Sequence, residues 1–286
     1  MLPNQRLKLT GLASRELLRC LAGGAPGGAR VPCAPAHVAR SLSAIRYAAA
    51  QVSHVLGPAP DGNSSLTPSR GIAERLRGFG PIGLLSLLVI VAGNLLIVPL
   101  SAVFVLIWAR LSHTPWRMLG FTPPHSWIRS FAIGVPFGIA FKLGMKAIVM
   151  PLLGAPAVNP QYHCLAGNAA ALPWALYAVI LGAGFGEETV FRGFFFERLG
   201  KLLGTSQGTL IATVLITSAL FALAHYPDQG LPGVEQAAVT GVAFGTIYGI
   251  TGRLWVPMIA HAAFDVTAVA LIYWNLEEGV AHALFQ

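Results

Sequence analysis

Charge is what this sequence has least of. Only 10% of its 286 residues are Asp, Glu, Lys or Arg, against 55% hydrophobic, and the mean hydropathy is +0.65. So few charges do not cover the surface of an ordinary soluble domain. Cysteine is scarce as well. Cys20, Cys33 and Cys164 lie far apart, which suggests neither a disulfide scaffold nor a cysteine metal site. Basic residues outnumber acidic ones by 19 to 11, yet ten of the 19 lie before Gly80, scattered singly. Nucleic-acid binding needs a concentrated basic footprint, so no nucleic-acid partner is expected. The HExxH pattern of soluble zinc proteases is absent, and no nucleophile-elbow pattern surrounds Ser206 or Ser218. No internal repeat of broken helices suggests a transporter. No hydrophobic core follows the first charges, so a secretory signal peptide is not expected.

What is present is apolar sequence in runs of bilayer length, about 20 residues each. The fold class expected is all-α: a polytopic helix bundle of the cell membrane, with about six transmembrane segments and the active site between helices. The segments are 81–109 (one tilted helix, or a helix broken at Pro99), 127–152, 170–199, 207–225, 236–250 and 254–274. The second carries Lys142 and Lys146, and its Gly134 and Gly138 form a face suited to close helix packing. In the fifth, Gly241, Gly245 and Gly249 recur every four residues. Residues 1–79 differ: rich in Ala, Gly, Pro, Ser and Arg, they read as a basic tail and linker outside the membrane domain of residues 80–286. A targeting segment, a surface-lying anchor and sequence upstream of the true start all remain open for that tail. Arg198, Lys201 and Arg253 place their helix ends on the cytoplasmic side, with Asp228, Glu235, Glu277 and Glu278 opposite.

Against this background the polar residues of the membrane half stand out. They are Glu187, Glu188 and Arg192 in GFGEETVFRG, His225 near the end of the fourth helix, and His261 and Asp265 in the sixth. Ionisable groups within spans are costly and usually face the protein interior, paired or functional. Glu188 and Arg192 are four apart and share a helix face, so they can neutralise each other and hold a site in shape. Glu187 points about 100° away and has no such local partner. A carboxylate of that kind suits general-base chemistry. Asp265 follows His261 by four residues, either orienting it or lining one cavity with it, Glu187 and His225. Two histidines with nearby carboxylates point to one of two chemistries. One is a divalent metal such as zinc, held by Glu187, His225 and His261; the other is a glutamate-activated water with histidines acting on the carbonyl and leaving group.

The motifs resemble those of a known family. EETVFRG is similar to the glutamate-glutamate-three-residues-arginine motif of the CPBP intramembrane proteases, also called the CAAX prenyl protease 2 or Abi family. FALAH, ending at His225, resembles the second motif of that family. GTIYGITGRLWVPMIAHAAFD, ending at Asp265, resembles the third, and WRMLGF resembles a weaker upstream element. The family-like core spans about residues 170–270. The resemblance implies a membrane-embedded endopeptidase. In it Glu187 activates water with His225 as partner, His261 and Asp265 act on the scissile carbonyl, and Glu188 and Arg192 give support. The implied partners are the bilayer and a peptide or membrane-associated protein substrate, prenylated or not. The family's prenyl-protein proteases carry asparagine where this chain has Asp265. A carboxylate donates no hydrogen bond unless protonated, so the role expected of Asp265 is to orient His261. The rival reading is a non-enzymatic membrane immunity or scaffold protein that uses the same polar cavity to bind a partner.

Overall fold

The computed structural model describes residues 71–96, 99–204 and 206–284, and the expected tail of residues 1–79 therefore lies outside the described residues up to residue 70. Every described element is helical. A short α1 (Ile72–Arg77) leads into α2 (Pro81–Leu96) and α3 (Leu100–Leu111). After a 3₁₀ turn at Trp116–Leu119 comes α4 (Trp127–Leu152), which widens into a π-helical turn at Met145–Val149. A loop leads to α5 (172–203), whose middle, Ala178–Phe194, is a long π-type stretch. Then follow α6 (Gln207–Thr251), α7 (Trp255–Tyr273) and α8 (Glu277–Ala281).

The segment expected at 81–109 is broken, and the break is at Pro99, which stands as the cap residue of α3. Proline has no N–H to give to a helix, so α2 and α3 form two shorter helices packed on each other. The segment also gains an anchor from upstream. Trp108 Nε1 donates to the Leu76 carbonyl at 3.1 Å, and Arg198 Nη2 donates to the Arg77 carbonyl at 3.0 Å. The last residues of the expected tail, from Gly71 on, thus pack with the membrane domain.

The two segments expected at 207–225 and 236–250 are joined in α6, which turns at Gly230 with φ 62° and ψ −158°. A left-handed φ of this kind suits glycine and breaks the helical course. The glycine stripe shows how the arms lie. A Cβ on Gly241 would meet Ser218 at 3.0 Å, one on Gly245 would meet Val214 at 3.3 Å, and one on Gly249 would meet Leu210 at 3.0 Å. As one partner advances by four residues the other retreats by four, which is the register of two antiparallel arms. Glycines at these positions let the arms approach closely, the usual solution in apolar surroundings. Gly134 and Gly138 do the same between α4 and α7: a Cβ on Gly138 would collide with the Ala260 carbonyl, and one on Gly134 would stand 2.8 Å from Ile259.

Among the described residues, three helices, α4, α6 and α7, are long and apolar enough to cross a membrane. The molecule is a multi-pass, all-α membrane bundle with polar residues buried between its helices. The difference from six expected segments has physical causes: the Pro99 break, the joining of two segments in α6, and the charges of α5. Ile128 is 83% exposed, Ile250 79% and Leu223 64%. Such apolar side chains on the outside of a bundle need lipid around them. The interior is aromatic, with Phe194, Phe221, Phe244 and Phe264 fully buried around the polar groups.

Candidate active site

The π-type stretch of α5 carries both glutamates and Arg192, and wide helical turns of this sort are frequent at functional sites. Glu188 is completely buried. Its Oε1 accepts from Arg192 Nη1 at 2.7 Å, the pair expected from their spacing. Arg192 is further held by the Gly241 carbonyl, which accepts from Nη2 at 3.3 Å, and it lies over the Phe221 ring at 4.6 Å and the Phe244 ring at 5.8 Å. A buried guanidinium is thus satisfied by a carboxylate, a carbonyl and two aromatic faces, which lowers the cost of placing it there.

The same Glu188 oxygen reaches α7. His261 Nδ1 stands 2.7 Å from Glu188 Oε1. A carboxylate can only accept, so Nδ1 carries the proton and Nε2 is directed the other way. On that side Nε2 lies 3.4 Å from Asp265 Oδ2 and 3.8 Å from Glu187 Oε2. Asp265, expected to orient His261, thus stands against Nε2 of the ring. Glu188, from another helix, makes the orienting hydrogen bond to His261, and Asp265 stands on the opposite edge of the ring beside Glu187.

His225 is fixed in a parallel way. Its Nδ1 is 2.8 Å from the Phe221 carbonyl, an acceptor, so Nδ1 carries the proton and Nε2 keeps a lone pair in the neutral ring. The Phe221 ring lies 4.5 Å from the His225 ring and 6.0 Å from the His261 ring. His225 and His261 both lie within electrostatic range of Glu187. The four residues Glu187, His225, His261 and Asp265 are therefore gathered from α5, the first arm of α6, and α7.

Glu187 Oε2 is buried and has no hydrogen-bond partner, while the side chain as a whole is 16% exposed. Asp265 is 22% exposed. These two carboxylates mark the accessible side of the cluster, and Glu188 and Arg192 its closed side. A carboxylate oxygen left unpartnered among donors is where a water, a substrate group or an ion is expected. The donor set suits a cation only in part. His225 offers Nε2 with its other nitrogen anchored, as metal-ligating histidines do. Yet no three His, Cys, Asp or Glu side chains among the described residues are arranged to hold a metal ion together. The two serines weighed as nucleophiles are occupied by helix backbone: Ser218 Oγ donates to the Val214 carbonyl at 2.6 Å, and Ser206 caps α6 through the Thr209 amide at 3.2 Å.

Two contributors were not visible in the sequence. Phe244 lies against His261 at 5.0 Å between ring centroids, although it reads there as one more apolar residue of a glycine-rich helix. The Glu188–His261 contact joins residues 73 positions apart, and nothing in a single sequence signals it.

Residues 169–267 match the family model described as Type II CAAX prenyl endopeptidase Rce1-like. That stretch contains all six of the residues singled out. Neither the curated proteins nor the solved structures contain a match.

Proposed function

We propose that this chain is a membrane-embedded endopeptidase of the Rce1-like type II CAAX prenyl endopeptidase kind, a reading that the match over residues 169–267 supports, and that Glu187 is its general base. The observation that carries the assignment is that Glu187, unlike the closed-in Glu188, is partly exposed and keeps an unpartnered Oε2 3.8 Å from His261 Nε2. A water beside it gives a proton to Oε2 as its oxygen attacks the scissile carbonyl. In its doubly protonated form His261 keeps Nδ1–H on Glu188 and turns Nε2–H toward the gap beside Glu187, where the carbonyl oxygen becomes an oxyanion. Asp265, 3.4 Å from the same Nε2, balances the positive charge of the His261 ring. The C–N bond breaks as the leaving amine takes a proton, and His225, with Nε2 facing the site, relays it from Glu187. Glu188 and Arg192 are positioning residues. They hold the helix that presents Glu187 and the ring that polarises the carbonyl.

The proposed substrate is a peptide or a membrane-associated protein cut close to the bilayer, and prenylated C-terminal peptides are the first class to try. The proposed topology has six spans, with α2–α3 as one and the arms of α6 as two. In a second form of the proposal, favoured by the anchored His225 ring, a divalent ion is held by Glu187, His225 and His261. Such an ion would supply Lewis-acid activation of the water.

The test uses purified protein in lipid nanodiscs with a panel of prenylated and unprenylated membrane peptides, products being read by mass spectrometry. General-base catalysis contributes roughly 10²–10⁴-fold. Glu187→Gln, His225→Ala and His261→Ala are therefore each expected to lower turnover by at least about 100-fold. Full cleavage by folded Glu187→Gln protein would end the assignment. Partner protection that survives this substitution, with no peptide cut by the wild type, would favour the immunity or scaffold role.

A further inference from the structure

Beside the site, on α4, stands a cation that the mechanism above does not use. Lys142 is 8% exposed, buried between the helices. Its Nζ donates to Gln236 Oε1 at 2.9 Å and lies 4.7 Å over the Phe264 ring. Among the described residues no carboxylate comes within 4.0 Å of it. The neighbouring Lys146 is different. It is paired with Glu277 Oε1 at 2.9 Å, and Glu277 also accepts from the Asn159 amide at 3.2 Å. An ammonium has three donors, and Lys142 spends one on a neutral amide. An ionisable group buried in a membrane bundle and short of partners is a mark of function.

The position of Lys142 says what it serves. Asp265 of the site lies within its electrostatic range, and Phe264, beneath Nζ, is the residue preceding Asp265. Phe264 in turn meets Phe244 at 6.4 Å, and Phe244 meets His261 at 5.0 Å, so two ring contacts separate Lys142 from the catalytic histidine. That is the reach of a few extended residues, about 3.3–3.6 Å each. The reading rests on the endopeptidase function proposed above. We propose that Lys142 receives the free C-terminal carboxylate of the substrate peptide, and so sets cleavage a few residues from the chain end. The carboxylate supplies the direct ion-pair partner that Lys142 lacks among the described residues, and the two unused N–H groups donate to it. An anionic lipid headgroup presents the same chemistry, and the experiment separates the two.

Two prenylated peptides of one sequence, one ending in a free carboxylate and the other in a carboxamide, are compared in nanodiscs of zwitterionic lipid and again with anionic lipid added. A charge-assisted hydrogen bond corresponds to about a tenfold effect or more, so wild type is expected to favour the acid over the amide by at least that factor in kcat/KM, mainly through KM. Lys142→Met is expected to bring the acid-to-amide ratio close to one, and Lys142→Arg to restore most of it. The arginine variant also separates loss of charge from loss of fold, as does the unfolding midpoint of each variant. A wild-type ratio near one would overturn the proposal, as would a ratio unchanged in folded Lys142→Met. A Lys142 effect that follows the anionic lipid and not the peptide terminus would overturn it too, assigning the ammonium to a headgroup. Wild-type protein that cuts neither peptide, nor any other in the panel, would refute the endopeptidase reading itself and this inference with it.

Discussion

Exchanging each of the two adjacent glutamates for glutamine should have opposite consequences for folding. Glu188 Oε1 accepts from Arg192 Nη1 and His261 Nδ1, both at 2.7 Å, in full burial. Removing one partner of a buried ion pair costs about 3–5 kcal/mol, because the other charge is left uncompensated. Glutamine keeps an acceptor oxygen that can stand where Oε1 stands, and Arg192 keeps the Gly241 carbonyl and the Phe221 ring. The cost of Glu188→Gln therefore belongs at the low end, about 3 kcal/mol. That is a large share of a total stability on the order of 5–15 kcal/mol. Glu187→Gln removes a charge whose Oε2 has no hydrogen bond to lose. Replacing such a group is neutral or stabilising. The assay is equilibrium unfolding of the purified variants in mixed micelles, followed by loss of helical circular dichroism. Equal destabilisation by the two substitutions, or a greater loss with Glu187→Gln, would refute the division of roles between them.

Asp265→Asn should reduce turnover by no more than about tenfold, since the carbonyl polarisation assigned to His261 is anchored by Glu188; a loss as large as that of Glu187→Gln would place Asp265 on the reacting atoms. Gly138→Val should weaken the α4–α7 contact by about 1–3 kcal/mol or more, because the added Cβ meets the Ala260 carbonyl and stands 2.9 Å from Ala263; unaltered unfolding would show that α4 can move away at no cost. Elemental analysis and chelation separate the two forms of the mechanism: full activity without a stoichiometric divalent ion would leave the glutamate–histidine form standing alone. Activity lost on chelation and restored by zinc would make Glu187, His225 and His261 ligands. Cysteines placed near Ser206 and near Gly230 should be labelled from opposite faces of the membrane, and labelling from one face would remove the two-span form of α6.

The parts of the site that the sequence made legible are those held by local geometry. Glu188 and Arg192 are four apart, and the structure pairs them. Glycines spaced by four announce a close helix contact, and both stripes have one. What they contact was not legible, because helix pairing is decided by residues distant in the chain. The first arm of α6 lies under Gly241, and α7 lies under Gly138. The same limit governs Asp265. Its spacing from His261 suggests a local orienting contact, and Asp265 does stand 3.4 Å from Nε2, but the shorter contact at Nδ1 comes from Glu188 on another helix. Local spacing proposes partners within one helix, and tertiary packing can supply a better one. The 81–109 segment shows a similar competition. Its hydropathy is continuous, but Pro99 interrupts the hydrogen-bond ladder that a single helix would need.

The proposal that Glu187 and not Glu188 acts on water rests on access. Both have a buried Oε2 without a hydrogen bond, so an unpartnered oxygen alone does not separate them. Access does. The Glu188 side chain is 0% exposed, closed in by Arg192, His261 and the phenylalanines, whereas that of Glu187 is 16% exposed. The two histidines complete the asymmetry. Each has Nδ1 bound to an acceptor, one to the Phe221 carbonyl and the other to Glu188, so the proposed mechanism uses Nε2 of both rings. His225 is tied to a neutral carbonyl and keeps a basic nitrogen available. His261 stands among three carboxylates and is the ring suited to bear positive charge. One imidazole anchored on a neutral carbonyl and another bordered by carboxylates, both within electrostatic range of Glu187, fit the two needs of the proposed amide hydrolysis, relaying a proton and stabilising an oxyanion. Exchanging their anchors should exchange their roles. Glu188→Leu, even in protein rescued by Arg192→Met, should leave His261 free to rotate and lower turnover through kcat more than through KM. Wild-type kcat in that double variant would show that the Glu188 bond to His261 serves folding alone.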